Sequence, residues 1–298
     1  MDKKKTPFLA RFRGWIQAGA TLLTNIHLPN FLKGSLYQGN GKYVCVPGLN
    51  CYSCPAATGA CPIGAFQAVV GSSKFRFSYY ITGILILFGV LLGRFICGFL
   101  CPFGWFQELL HKIPSKKLST QKVKPLRYLK YVILAVMVVL LPILAVNDLG
   151  MSDPFFCKYL CPQGVLEGAI PLSLANSGIR AALGKLFTWK TFILLTVVVS
   201  SVFFYRPFCK WLCPLGAFYA LFNRISLFQM KVDTEKCVSC GACAKACKMD
   251  VDITKCANHS ECIRCGMCMK ACPKNAISYQ YGFGDKSKKI QANKEHTK

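Results

Sequence analysis

The sequence predicts an α-helical integral membrane protein of about four transmembrane helices, ending in a small α+β domain organised by cysteine. Three observations predict it. Of 298 residues, 53% are hydrophobic, yet Lys and Arg outnumber Asp and Glu 37 to 12 for a formal charge of +25. A chain this apolar and this basic suits bilayer helices joined by basic loops. Long uncharged runs recur up to about residue 230, and 19 cysteines fall in repeated spacings. The same features exclude other classes. A disordered basic chain would be less apolar, and a small disulfide-stapled secreted domain would be shorter. A nucleic-acid binder would rarely carry several long uncharged stretches, so no nucleic-acid partner is expected. The charge is read mainly as topology and attraction to anionic membrane lipid.

Spans are expected at about 14–32, 77–96, 129–147 and 186–205. The first is the weakest, because it holds Gln17, Thr21, Thr24, Asn25, His27 and Pro29; the alternative is an interfacial amphipathic helix. Lys3, Lys4 and Lys5 resemble a signal start. Arg11 and Arg13 interrupt the segment, so it reads as a retained anchor. The segment from Lys112 to Lys130 is strongly basic, whereas 148–185 is balanced. The positive-inside rule then puts the N-terminus, this connection and the C-terminal region in the cytoplasm of a bacterial or archaeal inner membrane.

Hydropathy falls after Met230, which divides the chain into a membrane domain 1–230, a soluble domain 231–283 and a basic disordered tail 284–298. In the soluble domain Cys237, Cys240, Cys243 and Cys247 follow C-x2-C-x2-C-x3-C. Cys262, Cys265, Cys268 and Cys272 repeat it. Doubled, this spacing is the signature of a bacterial two-cluster ferredoxin, in which the fourth cysteine of each run serves the other cluster. One [4Fe–4S] set is therefore Cys237, Cys240, Cys243 and Cys272; the other is Cys262, Cys265, Cys268 and Cys247. Gly241 and Gly266 let the backbone approach closely. Lys248 stands where the pattern usually has Pro, and Cys256 is read as a spare thiol. Zinc sites or disulfides are the bland alternatives, and eight cysteines in doubled register argue against both. The segment 276–279 reads as a short strand.

Three further pairs follow Cys-x3-Cys-Pro-x-Gly: Cys97/Cys101, Cys157/Cys161 and Cys209/Cys213. A fourth ending, Cys61-Pro62-Ile-Gly64, closes a group with Cys45, Cys51 and Cys54. Proline suits the first position of a helix, so the second cysteine of each pair should cap one, where the dipole favours thiolate. If the preceding helix continues, the two cysteines share a face. Alternation across the membrane pairs Cys97, Cys101, Cys209 and Cys213 as a candidate inner metal site. Cys45, Cys51, Cys54, Cys61, Cys157 and Cys161 make a candidate outer site. The outer cysteines read equally as a cluster site or as dithiol chemistry, giving one or two further Fe–S clusters.

These features resemble the NapH-type membrane polyferredoxins, with relatives NosR, CcoG and YccM. The resemblance implies electron transfer between the quinone pool, or a cytoplasmic donor, and a partner redox-enzyme complex. A quinone is thus a candidate ligand; His27 could hydrogen-bond it, but the favoured reading of His27 is a structural polar residue in the helix bundle. The soluble domain is net basic, which suits an acidic soluble donor or acceptor protein. An electron-transfer subunit is expected rather than a stand-alone enzyme. The alternatives are a thiol–disulfide or metal-ion oxidoreductase and a redox-sensing assembly or regulatory subunit. No C-x-x-C-H occurs, so c-type haem is excluded by motif.

Overall fold

A computed structural model describes residues 7–72, 79–148 and 152–282. The Lys3–Lys5 start, the beginning of the expected second span and the expected tail 284–298 lie outside the described residues. The helices that position the sites are α1 (Phe8–Thr24), α2 (Pro62–Gly71), α3 (Tyr79–Leu92), α4 (Phe95–Phe99) and α5 (Pro102–His111). They continue as α6 (Val123–Leu144), α7 (Phe156–Leu160), α8 (Gly164–Ala175) and α9 (Lys185–Phe203). After α10 (Pro207–Trp211) and α11 (Pro214–Phe222) comes the C-terminal unit, β1 (Phe228–Val232), α12 (Ala242–Ala246), α13 (Met267–Ala271) and β2 (Ile277–Tyr281).

Among the described residues, two helices are long and apolar enough to cross a bilayer, α6 and α9. The other two expected spans come out shorter, for local reasons. Helix α1 ends at Thr24, where Asn25 leaves helical geometry and turns its side-chain amide onto the Thr21 carbonyl. Helix α3 has 14 residues and ends at Gly93, whose φ of +54° turns the chain. A side chain on Gly93 would meet Asn223 Oδ1 and the Arg264 guanidinium at 2.9 Å. Helix α6 is wound as π-helix over Leu134–Leu140, because Pro142 brings no N–H for the Val138 carbonyl. The outward faces of α6 and α9 are apolar: Val132, Leu140, Leu144, Phe192, Leu195 and Val199 are all exposed.

Strand β1 pairs antiparallel with β2, Phe228 opposite Tyr281 and Val232 opposite Ile277. Helices α12 and α13 pack against each other beneath this two-stranded frame. One hydrophobic core joins the two parts of the chain, running from Ile63, Phe103 and Tyr219 to Met249, Val251 and Ile263.

Candidate functional site

Each expected ligand set of the C-terminal unit encloses its own small cavity. Cys237, Cys240, Cys243 and Cys272 line one of about 20 Å³. Cys247, Cys262, Cys265 and Cys268 line another of about 20 Å³. The repeat extends to the backbone. Ser239 and Arg264, Gly241 and Gly266, and Asp250 and Asn275 occupy equivalent positions, all at positive φ. Those turns aim amides at sulfur: Val251 N–H donates to Cys247 Sγ (3.4 Å) and Ala276 N–H to Cys272 Sγ (3.3 Å). All eight are free thiols. Thiols spread around a cavity and met by amides suit a multi-iron cluster.

In the N-terminal part the helix breaks between the paired cysteines instead of continuing through them. Cys97 lies in α4 and Cys209 in α10, while Cys101, Cys213 and Cys61 cap the next helices with Pro at N1. Cys213 Sγ accepts from Gly216 N–H at 3.3 Å. The Gly64 and Gly104 amides lie within the same reach of Cys61 and Cys101. Helices α5 and α11 thus begin at the proline that follows Cys101 and Cys213, as the motif predicts.

The inner four thiols form one buried group, with Cys213 electrostatically coupled to Cys97, Cys101 and Cys209. Two arginines brace it reciprocally. Arg94 Nη2 donates to the Cys209 carbonyl (3.3 Å) and Arg206 Nη1 to the Cys97 carbonyl. Gly104 makes room for one of them, since a methyl there would stand 2.9 Å from Arg206 Nη1, whereas one on Gly216 would meet Arg94 Nη2 at an ordinary 3.5 Å. Each arginine precedes the first cysteine of its motif by three residues, a signal present in the sequence. The charge reading is corrected accordingly. Arg94, Arg206, Lys130 and Lys210 are 0%, 0%, 0% and 1% exposed, so they are internal counter-charges rather than loop or lipid-facing charges. Arg206 pairs with Glu108 (2.9 Å), which Arg13 and Tyr205 also contact. Burial alone would raise the Glu108 carboxyl, but the Arg206 and Arg13 charges outweigh it and hold it at about 2.

Of the outer six, Cys45, Cys51, Cys61, Cys157 and Cys161 line a single cavity of about 640 Å³, with Lys42 and Lys190 in its wall. Lys190 Nζ donates to the Cys157 carbonyl (3.0 Å), the part arginine plays at the inner site. Cys54 stands behind this wall, its thiol directed at Asn25 Oδ1 (3.5 Å). His27 lies beyond α1 and stacks on Tyr37 with centroids 3.8 Å apart, so it is held by a ring rather than presented inside a span.

The inner and outer groups meet through one loop. The loop that carries Cys45 and Cys51 folds back onto the inner site. A methyl on Gly48 would stand 2.8 Å from the Cys101 Cα, and the Leu49 amide is within reach of the Cys101 thiol. Tyr219 OH donates to the Pro47 carbonyl (3.0 Å), placing this buried phenol between Cys97 and Cys101 on one side and Cys45 and Cys61 on the other.

The C-terminal unit is clasped to the inner site. Glu261 receives Arg94 (2.7 Å) and Lys130 (2.5 Å). Burial would raise its carboxyl, but those two cations hold it at about 2. Asp250 receives Lys210 (2.9 Å), and Lys210 also bonds the Lys248 carbonyl (2.8 Å). The Lys248 carbonyl thus helps dock the C-terminal unit onto the N-terminal part. A methyl on Gly98 would collide with the Ile263 carbonyl oxygen, so α4 lies directly on the Cys262–Cys265 turn.

The two-stranded frame with its paired cysteine cavities defines an iron–sulfur protein with a ferredoxin-type C-terminal unit. A 4Fe-4S binding domain family matches residues 59–80, 77–121, 131–170 and 187–234, half of the chain, and a second family of that description matches 230–251 and 257–278. The chain belongs to this 4Fe-4S binding family. It is 30% identical to an uncharacterised protein of Methanocaldococcus jannaschii over 68% of this chain and 79% of that one. It is 27% identical to the putative electron transport protein YccM of Escherichia coli, over 57% of this chain and 45% of YccM. It is 25% identical to the ferredoxin-type protein NapH of Haemophilus influenzae, over 55% and 51%. The NapH-like and YccM-like resemblance is thereby established. No solved structure shows a significant match.

Proposed function

We propose that the chain is a membrane-embedded iron–sulfur electron-transfer protein with four cysteine sites in a row. The observation that carries this reading is their contiguity. The two C-terminal cavities share the packed pair α12 and α13, Ile263 of the second touches Gly98 beside Cys97, and Gly48 of the outer loop touches Cys101. Cys237, Cys240, Cys243 and Cys272 would hold one [4Fe–4S] group, and Cys247, Cys262, Cys265 and Cys268 a second. Cys97, Cys101, Cys209 and Cys213 would hold a third. The outer cysteines would hold a fourth. Such groups supply one-electron transfer. The chain's own residues order the sites, surround them with buried cations that offset anionic thiolates, and exclude water from the inner one.

Cys240 is exposed at one end of the row, which suits contact with a soluble partner protein. The open outer cavity, at the other end, suits exchange with a redox-enzyme complex. Helices α6 and α9 cross the membrane in this reading, and the shorter helices enter it without spanning alone. The positive-inside balance supports a cytoplasmic C-terminal unit.

Iron and acid-labile sulfide per anaerobically purified chain test the reading. About sixteen irons are expected, since four sites each hold four. Replacing Cys97 and Cys101 together by Ser should remove about four and leave about twelve, the C-terminal eight among them. Unchanged iron in that variant overturns the inner site. The free thiols in an open cavity favour a second reading, dithiol exchange at the outer site. Its mark is about twelve irons together with outer cysteines that titrate as an exchanging dithiol.

A further inference from the structure

The residue six positions past each Cys-Pro cysteine is Gln67, Gln107, Glu167 or Tyr219 in the four repeats. Glu167 and Tyr219 hold the outer loop, through Cys51 N–H (3.1 Å) and the Pro47 carbonyl (3.0 Å). The two glutamines do something else, and both do it the same way. Gln107 Nε2 donates to Cys209 Sγ (3.1 Å) while Phe208 N–H donates to Gln107 Oε1 (3.2 Å). Gln67 Nε2 donates to Cys157 Sγ (3.2 Å) while Phe156 N–H donates to Gln67 Oε1 (2.9 Å). A backbone N–H can only donate, so it takes the amide oxygen and leaves the NH2 facing sulfur. The glutamines are 1% and 0% exposed, so water does not compete for the bond.

A donor to a ligand sulfur stabilises the more negative, reduced state and raises the reduction potential. We propose that Gln107 and Gln67 are positioning residues that set the potentials of the inner and outer membrane sites, each through one N–H on the first cysteine of a partner repeat. The inference deepens the four-site reading and rests on it. It also separates the membrane sites from the C-terminal pair, where Cys247 and Cys272 receive backbone amides instead.

The test is an EPR-monitored redox titration of the purified full chain with iron counted beside it. In Gln107→Leu the inner centre should shift about tenfold toward the oxidised form at fixed poise, about 59 mV for one electron. The other centres should not move. Gln67→Leu should shift the outer centre alone. If the wild-type chain holds only about eight irons, the four-site reading fails and takes the inference with it. If it holds more and no midpoint moves, the inference falls alone. Should a Leu variant lose iron, the isosteric Gln→Glu decides. Iron retained with a lowered midpoint supports the inference. Iron retained with an unchanged midpoint overturns it, and so does iron lost in both variants, because a tuning donor is dispensable for assembly.

Discussion

Glu261→Gln is expected to release the C-terminal unit from the membrane part. Glutamine keeps the shape but leaves Arg94 and Lys130, both 0% exposed, without their shared counter-charge. Breaking a buried pair by removing one partner costs about 3–5 kcal/mol, because the remaining charge is buried and uncompensated. Here one carboxylate serves two cations, so the upper part of that range applies. The remaining clasps, Lys210 to Asp250 and the Arg264 bonds to Leu92 O and Ser226 Oγ, hold the unit less firmly. Limited proteolysis should cut between α11 and β1 far faster than in the wild type. The C-terminal eight irons should stay, since no cysteine is touched. Adding Lys130→Met should recover part of the loss by removing one orphaned charge. An unchanged cleavage rate in Glu261→Gln would show that the clasp does not hold the units together.

The parts legible in the sequence are those set by short-range spacing. The eight C-terminal cysteines, their division between two cavities and the strand near 277 all follow from local register, because the ligands of each site lie on two short runs. Proline after Cys61, Cys101 and Cys213 likewise marks helix starts that the structure has. Span lengths were less legible. An uncharged run says nothing of the positive φ at Gly93 or of the turn at Asn25, so α3 and α1 end early. The long-range pairings were illegible for a plainer reason. Lys130 and Glu261 stand 131 residues apart, and a lysine in a basic segment carries no mark of a distant carboxylate. Nor does alternation of loops across a bilayer reveal that the Cys45–Cys51 loop folds back to touch Cys101. The fixed offsets of Arg94, Arg206, Gln67 and Gln107 from their cysteines were visible, but their meaning came only when two repeats faced each other.

That fold-back makes Gly48 the joint between the inner and outer cysteine groups. Its missing side chain is required by space, since a Cβ would stand 2.8 Å from both the Cys101 Cα and the Leu100 carbonyl oxygen. Both are backbone atoms at a capped helix start, so neither can swing aside as a side-chain end would. Gly48→Val must therefore displace the loop, at about 1–3 kcal/mol for overpacking. The loop carries Cys45 and Cys51 with it, while Glu167 and Tyr219 pull against the shift through Cys51 and Pro47. The inner four cysteines and the C-terminal unit do not depend on that loop. The expected variant keeps about twelve irons and loses or misplaces the outer group. When reductant is supplied at the Cys240 end, the first three centres should still reduce at the wild-type rate. The outer centre, or the outer dithiol if that reading holds, should lag. Rapid-mixing spectroscopy beside alkylation of Cys157 and Cys161 reads both alternatives. Wild-type reduction at the outer cysteines in Gly48→Val would mean that the two membrane sites communicate by some route other than this joint. Gly48→Ala provides the graded control: a smaller displacement should give a smaller lag, which general misfolding would not produce.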